Sequence, residues 1–212
     1  MNWNVQVIPV GPLQMNAVLL TAQDGPEGPE AILIDPGEEA PLLLSLVEKS
    51  GCRLTGLLAT HGHFDHVGAG AAIQEAHDLP LKCHAADVTL IENMGEIQKA
   101  YGFAPTAIPR LQADLNHGDV IEFGGGTLEV SHVPGHSPGQ VMFSFPGHAV
   151  VGDCLFAGSV GRTDLPGGNF PTLEKSIREH IYTLADETVV ICGHGPDTTV
   201  GREKISNPFV QG

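Results

Sequence analysis

Residues 57 to 70, LLATHGHFDHVGAG, place His61, His63, Asp65 and His66 within six positions. Imidazole and carboxylate are the side chains that ligate zinc, iron or manganese. His61 and His63 stand two apart in an extended loop, so both can aim at one ion. Asp65 and His66 come after the chain turns and can aim at a second ion beside it. Later loops add His136 in VPGHSPG, Asp153 in VVGDCLF and His194 in CGHGP. Five histidines and two aspartates are enough for two ions, with Asp153 as a bridging carboxylate. Paired ions about 3.5 to 4 Å apart hold a hydroxide between them and polarise a substrate oxygen. Any one of these histidines alone is better explained as a surface or capping residue. It is the HxHxDH cluster followed by spaced singles that points to a metal site.

The elements around these residues read as strands that end in polar, glycine-rich loops, where fixed scaffolds present chemistry. VQVIPV (5–10), NAVLLTA (16–22), AILIDPG (31–37) and LTGLLAT (54–60) are β-rich or continuously apolar. EAPLLLSLVEKSG is helical with a glycine stop, and VGAGAAIQEAHD (67–78) is a second helix. HGHFDH therefore lies between a strand and a helix. The second half repeats the theme. HGDVIEFGGGTLEVSHVPG reads as two strands, GQVMFSFPGHAVVGD as a hairpin around Pro146-Gly147, TLEKSIREHIYTLA (172–185) as an amphipathic helix, and TVVICGHGPD (188–197) as a buried strand with a histidine loop. Alternating strands and helices with persistent hairpins predict an α/β protein of two mixed sheets packed face to face, helices outside. No short-period repeat or low-complexity linker interrupts the chain, so one domain over residues 1–212 is expected.

Composition narrows the function classes. The 212 residues carry a formal net charge of −15. A chain this acidic lacks the electrostatic footprint for nucleic acid or an anionic membrane, and neither is expected as a partner. Cys52, Cys83, Cys154 and Cys192 form no CxxC pair and no disulfide framework, and are expected to be reduced and mostly buried. Cys154 should point away from Asp153 if the strand continues, so it is not counted as a ligand. The start, MNWNVQVIPVGPLQ, has no basic region followed by a long apolar core, and no stretch reaches the length of a spanning helix. The expected compartment is the cytoplasm.

THGHFDH (60–66) resembles the THxHxDH signature of the metallo-β-lactamase fold, and VPGHSPG, GDCLF and CGHGP resemble its later metal motifs in the same order. Within that superfamily the chain resembles glyoxalase II, the hydroxyacylglutathione hydrolases, in its short bacterial type without a C-terminal helical domain. LFAGSVGRTDLPGG (155–168) and the ending NPFVQG carry that finer resemblance. The resemblance implies an αββα sandwich with the site at one edge of the two sheets. It implies one ion held by His61, His63 and His136. A second would be held by Asp65, His66 and His194, with Asp153 between them. The ions are expected to be zinc, with iron or manganese as alternatives.

Two chemistries share these motifs. The first is hydrolysis of S-D-lactoylglutathione or a similar 2-hydroxyacyl thioester, with a metal-bridging hydroxide as nucleophile and Asp65 and Asp153 as the catalytic carboxylates. A thiolate leaving group, with a reference pKa near about 8.5, departs without a strong general acid. The second is the iron-dependent persulfide dioxygenase reaction, whose enzymes share the GRTD segment and resemble a mononuclear site of two histidines and a carboxylate, here His61, His136 and Asp153. The short chain and HGPD after the last strand favour the hydrolase, since the dioxygenases more typically carry an aromatic soon after that histidine. A β-lactamase would be secreted, which the N-terminus does not indicate. Longer glyoxalase II enzymes bind glutathione partly through C-terminal helices, and only residues 195–212 follow His194 here. Arg162 in GRTD has two open roles, contact with an anionic substrate or a loop-fixing ion pair with Asp164. His132 is either a support for His136 or an ordinary core or surface residue.

Overall fold

Alternation along Met15–Ala22 shows how two layers share one strand. Val18 and Leu20 face one apolar cluster, while Ala17 and Leu19 face another. Successive side chains of a strand point to opposite faces, so a strand apolar on both faces must lie between two packed layers. The computed structural model describes residues 3–212. Its first sheet runs, in spatial order, β1 (Trp3–Val10), β2 (Met15–Ala22), β3 (Glu30–Ile34), β4 (Arg53–Leu58), β5 (Leu81–Lys82) and β6 (Leu111–Gln112). β1 to β3 pair antiparallel, whereas β3 to β6 pair parallel, which makes the sheet mixed.

The second sheet begins with β7 (Val120–Phe123), β8 (Gly126–His132), β9 (Val141–Phe145) and β10 (His148–Gly152). A small hairpin of β11 (Leu155–Phe156) and β12 (Ser159–Val160) follows. β13 (Val189–Cys192) then returns parallel to β10, and β14 (Thr198–Thr199) closes the sheet in the spatial order β14-β13-β10-β9-β8-β7.

Between the sheets lies an apolar layer that includes Val18, Ile32, Ile34, Leu58, Leu128, Val130, Phe143, Val150 and Ile191. Fully burying each such side chain contributes about 1.5 to 3 kcal/mol. Helices cover the outer faces. α1 (Ala40–Ser50) buries Leu43 and Val47 against the first sheet, beside α2 (Phe64–Val67), α3 (Gly70–His77), α4 (Val88–Glu92) and α5 (Met94–Ala100). α6 (Phe170–Ser176) continues as a π-helical turn (Ile177–Ile181). Leu173, Ile177 and Ile181 pack with Val200 of α7 (Val200–Ser206) against Met142, Val151 and Val190 of the second sheet. The result is the αββα sandwich that the sequence predicts.

Several expectations shift in detail. The helix expected over 67–78 forms as α3 alone, and Asp65 and His66, expected in a loop, lie on the separate short α2. The helix expected over 172–185 starts earlier and gives way to the π turn. α4, α5 and α7 were not anticipated. Among the described residues, no helix is long and apolar enough to cross a membrane.

Candidate metal centre

Four loops at one edge of the sandwich bring the seven residues together. β4 ends at Leu58, and the chain then crosses through Thr60 and His61 to α2, which carries Asp65 and His66. His136 lies in the β8–β9 loop, Asp153 follows β10, and His194 follows β13. Three sets of ligand-type atoms converge: His61, His63 and His136; Asp65, His66 and His194; and His61, His66 and Asp153.

In the first set, His63 Nδ1 lies 3.0 Å from His61 Nε2 and 2.9 Å from His136 Nε2. The outward nitrogens explain why these atoms face inward. His136 Nδ1 donates to the Arg162 carbonyl at 2.8 Å. Thr60 Oγ1 donates to Asp35 Oδ2 at 2.7 Å, so it accepts from His61 Nδ1, 3.1 Å away. That network leaves Nε2 of both rings as a lone pair aimed into the cluster. Burial, followed by repulsion from neighbouring imidazoles, pushes His61 well below the usual histidine range. Burial and the neighbouring His136 push His63 down to about 4. Both are therefore neutral, ligand-ready imidazoles near pH 7.

The second set is charged. His66 Nδ1 lies 2.9 Å from Asp35 Oδ2, and His194 Nδ1 donates to the Leu13 carbonyl at 3.0 Å. His194 Nε2 then faces Asp65 Oδ2 at 3.2 Å. Burial opposes charge on His66, but Asp153, Asp35 and Asp65 overcome it and hold this imidazole well above its ordinary range. Burial alone would raise the Asp153 carboxyl, yet the imidazoles, His66 first, hold it well below the carboxylate range.

Asp153 reaches both sets. Its Oδ1 is 3.3 Å from His66 Nε2, and its Oδ2 is 3.6 Å from His136 Nε2 and 3.7 Å from His194 Nε2. Among the described residues, His66 Nε2 and Asp153 Oδ1 are buried with no hydrogen-bond partner. Buried polar atoms are nearly always paired, so two orphans facing one another mark a place where a cation fits. The donor set and the orphans together fit divalent metal.

The sequence missed residues that hold this arrangement. Asp35 is buried at a left-handed backbone position (φ 54) that Asp tolerates better than most side chains. It accepts from the Thr60 backbone N–H as well as from Thr60 Oγ1 and pairs with His66. Buried Asn16 donates to the Cys192 and Gly195 carbonyls at 3.0 and 2.8 Å, fixing the His194 loop. The fully buried carboxylate of Asp87 accepts from Gly62, Ser137 and Gly139. The signal available for Asp35 was a polar residue at the end of an apolar strand. Asn16 and Asp87 carried none.

Other expected residues have definite places. Arg162 is exposed at the rim, with its guanidinium paired to Asp164 at 2.7 and 2.8 Å, while its backbone carbonyl anchors His136. His132 Nε2 donates to the Pro138 carbonyl at 2.8 Å and stacks on His84, so it supports the His136 loop. All four cysteines are free and buried. Cys154 points into the outer cluster of the second sheet, away from the centre.

The chain belongs to the metallo-beta-lactamase superfamily, whose family model matches residues 10–194. Membership places it among metallo-hydrolases, supports its being an enzyme, and implies divalent metal ions. One relative is the hydroxyacylglutathione hydrolase GloC of Haemophilus influenzae, 36% identical over 98% of each chain. Three solved structures share the fold over nearly the whole chain. The B3 metallo-beta-lactamase BLEG-1 is 35% identical, with a TM-score of 0.87, covering 99% of this chain and 100% of that one. TTHA1623, crystallised in a di-iron-bound form, is 42% identical with a TM-score of 0.85, covering 97% and 100%. ETHE1 from Myxococcus xanthus is 25% identical with a TM-score of 0.78, covering 97% and 83%.

Proposed function

We propose that this chain is a metal-dependent thioester hydrolase of the glyoxalase II type, acting on S-D-lactoylglutathione or a similar 2-hydroxyacyl thioester. The observation that carries a two-ion centre is the reach of Asp153 to nitrogen atoms of both ligand sets. His61 Nε2, His63 Nδ1 and His136 Nε2 would hold one ion. Asp65, His66 Nε2 and His194 Nε2 would hold the other, with Asp153 between them. We propose zinc, with iron or manganese as the other ions these donors suit.

When bound, such ions polarise the thioester carbonyl and lower the pKa of water so that hydroxide is available near neutral pH. The protein's own contribution is orientation. Asp35, Thr60, Arg162 and Leu13 fix four imidazoles by their outer nitrogens, so the inward atoms need little reorganisation. The thiolate half can leave without a proton donor. The 36% identity to GloC over 98% of each chain supports a thioester substrate. The proposed setting is a single domain over residues 1–212 in the cytoplasm. Its partner is a small glutathione thioester, with neither nucleic acid nor a membrane involved.

A second reading, the iron-dependent persulfide dioxygenase, is favoured by the closeness of His136 to Asp153, two members of the mononuclear set that the sequence offered. The deciding assay follows the thioester absorbance of S-D-lactoylglutathione without oxygen. The hydrolase should remove it in the metal-loaded form and not in the chelated form. An intact thioester, together with oxygen uptake by iron-loaded protein given glutathione persulfide, would replace the first reading with the second.

A further inference from the structure

Asp87 lies outside the proposed ligand set, on a single 3₁₀ turn (Ala85–Asp87) that leads into α4. Its side chain is fully buried. Oδ2 accepts from the Gly62 N–H at 2.8 Å and from Ser137 Oγ at 2.7 Å, and Oδ1 accepts from the Gly139 N–H at 2.6 Å. Gly62 stands between His61 and His63, and Ser137 follows His136. One carboxylate therefore ties the loop that follows a strand of the first sheet to a loop within the second.

Both loops are also pressed against it. A Cβ added at Gly62 would lie 2.8 Å from the Asp87 carbonyl oxygen, and one added at Gly139 would lie 2.7 Å from Asp87 Cγ. Either atom would push its loop off the carboxylate. Burying an ionised group costs several kcal/mol unless donors surround it. An apolar side chain would fill the space without that cost, so packing alone does not account for an aspartate here. What the carboxylate adds is direction. It accepts from three donors on two loops, and each loop carries a histidine of the three-histidine set.

We propose that Asp87 is a positioning residue that sets the spacing of His63 and His136 and, through it, the affinity of the three-histidine group for its ion. The proposal rests on the metal-centre reading above, but it needs no turnover to be tested. Asp87→Asn keeps the volume, yet its amide must turn a donor toward the N–H of Gly62 or Gly139. Zinc affinity is measured by chelator competition in two backgrounds. Asp65→Ala leaves the three-histidine group, and His63→Ala leaves the carboxylate-rich group. Adding Asp87→Asn should weaken zinc about 10- to 100-fold in the Asp65→Ala background, the range for supporting partners of metal ligands. In the His63→Ala background the change should stay within about threefold.

Equal losses in both backgrounds, or a lower melting point of the metal-free protein with zinc affinity intact, would overturn the proposal. Wild-type protein that takes up no zinc would instead overturn the metal-centre reading itself. Should Asp87→Asn fail to fold, Ser137→Ala removes one of the three donors. It should weaken zinc in the Asp65→Ala background alone, and an unchanged affinity there counts against Asp87.

Discussion

The two halves of the cluster use the same residue types in opposite electrical states. His61, His63 and His136 meet nitrogen to nitrogen, and burial with mutual repulsion holds His61 and His63 uncharged. His66 and His194 instead meet carboxylates, which draw protons onto them against the cost of burial. Two imidazoles of the first half are thus already in the form that binds a cation. The other half is compensated internally, and an ion must displace protons to enter it. The position of Asp153, in reach of both, makes the halves one centre.

The most severe way to break this comparison is Asp153→Ala, which removes the group common to both halves. Metal content measured by elemental analysis should fall below one ion per chain, from an expected two in wild type. Thioester turnover should fall by more than about a hundredfold, since loss of a ligand exceeds loss of a supporting partner. Normal metal content and turnover would show that the halves do not share this carboxylate.

A second test separates the halves by pH. With its pKa near 4, His63 stays neutral as pH falls from 7 to about 5, so protonation of His63 should not expel the ion of the three-histidine half over that window. His66, held above its ordinary range, is increasingly protonated as pH falls, so the carboxylate-rich half should release its ion first. Stepwise metal release during acid titration reads the order, and simultaneous release would refute the asymmetry. Binding at pH 7 should also liberate protons mainly at the second step, which calorimetry in buffers of different ionisation enthalpy detects.

The smallest effect is expected from Arg162→Ala. Its ion pair with Asp164 is exposed, and such pairs contribute about 0 to 1 kcal/mol. The bond to His136 comes from the Arg162 backbone, which the substitution keeps. Metal content should not change, and the melting point should move by no more than a few degrees. A loss of metal would mean that the Arg162 side chain orients His136 after all.

The sequence carried most of the sandwich because β2, β3, β9 and β10 are apolar on both faces and lie between recognisable turns. It failed where elements are short or polar. β5 and β6 have two residues each, α4 and α5 have five and seven, and α2 is a single turn that the histidine-rich motif masks as loop. The residues gathered at the centre were legible because imidazoles at strand ends are unusual. Asp35, Asn16 and Asp87 were not, because each acts by accepting from or donating to backbone groups far along the chain. Asn16 reaches Cys192, and Asp87 reaches Gly139, contacts that exist only after the sheets pair.

That the ligands come from loops of both sheets has a consequence for folding. His61, His63, Asp65 and His66 follow a strand of the first sheet, while His136, Asp153 and His194 are placed by the second. No half-folded chain with one sheet alone presents either complete set, because each set draws on both. An ion that prefers the finished centre therefore acts as a clasp on sheet docking. Its binding free energy adds to the stability of the native state by mass action, growing with free metal over its dissociation constant. Metal supply in the surroundings would then set what fraction of the chains is folded as well as how many are loaded.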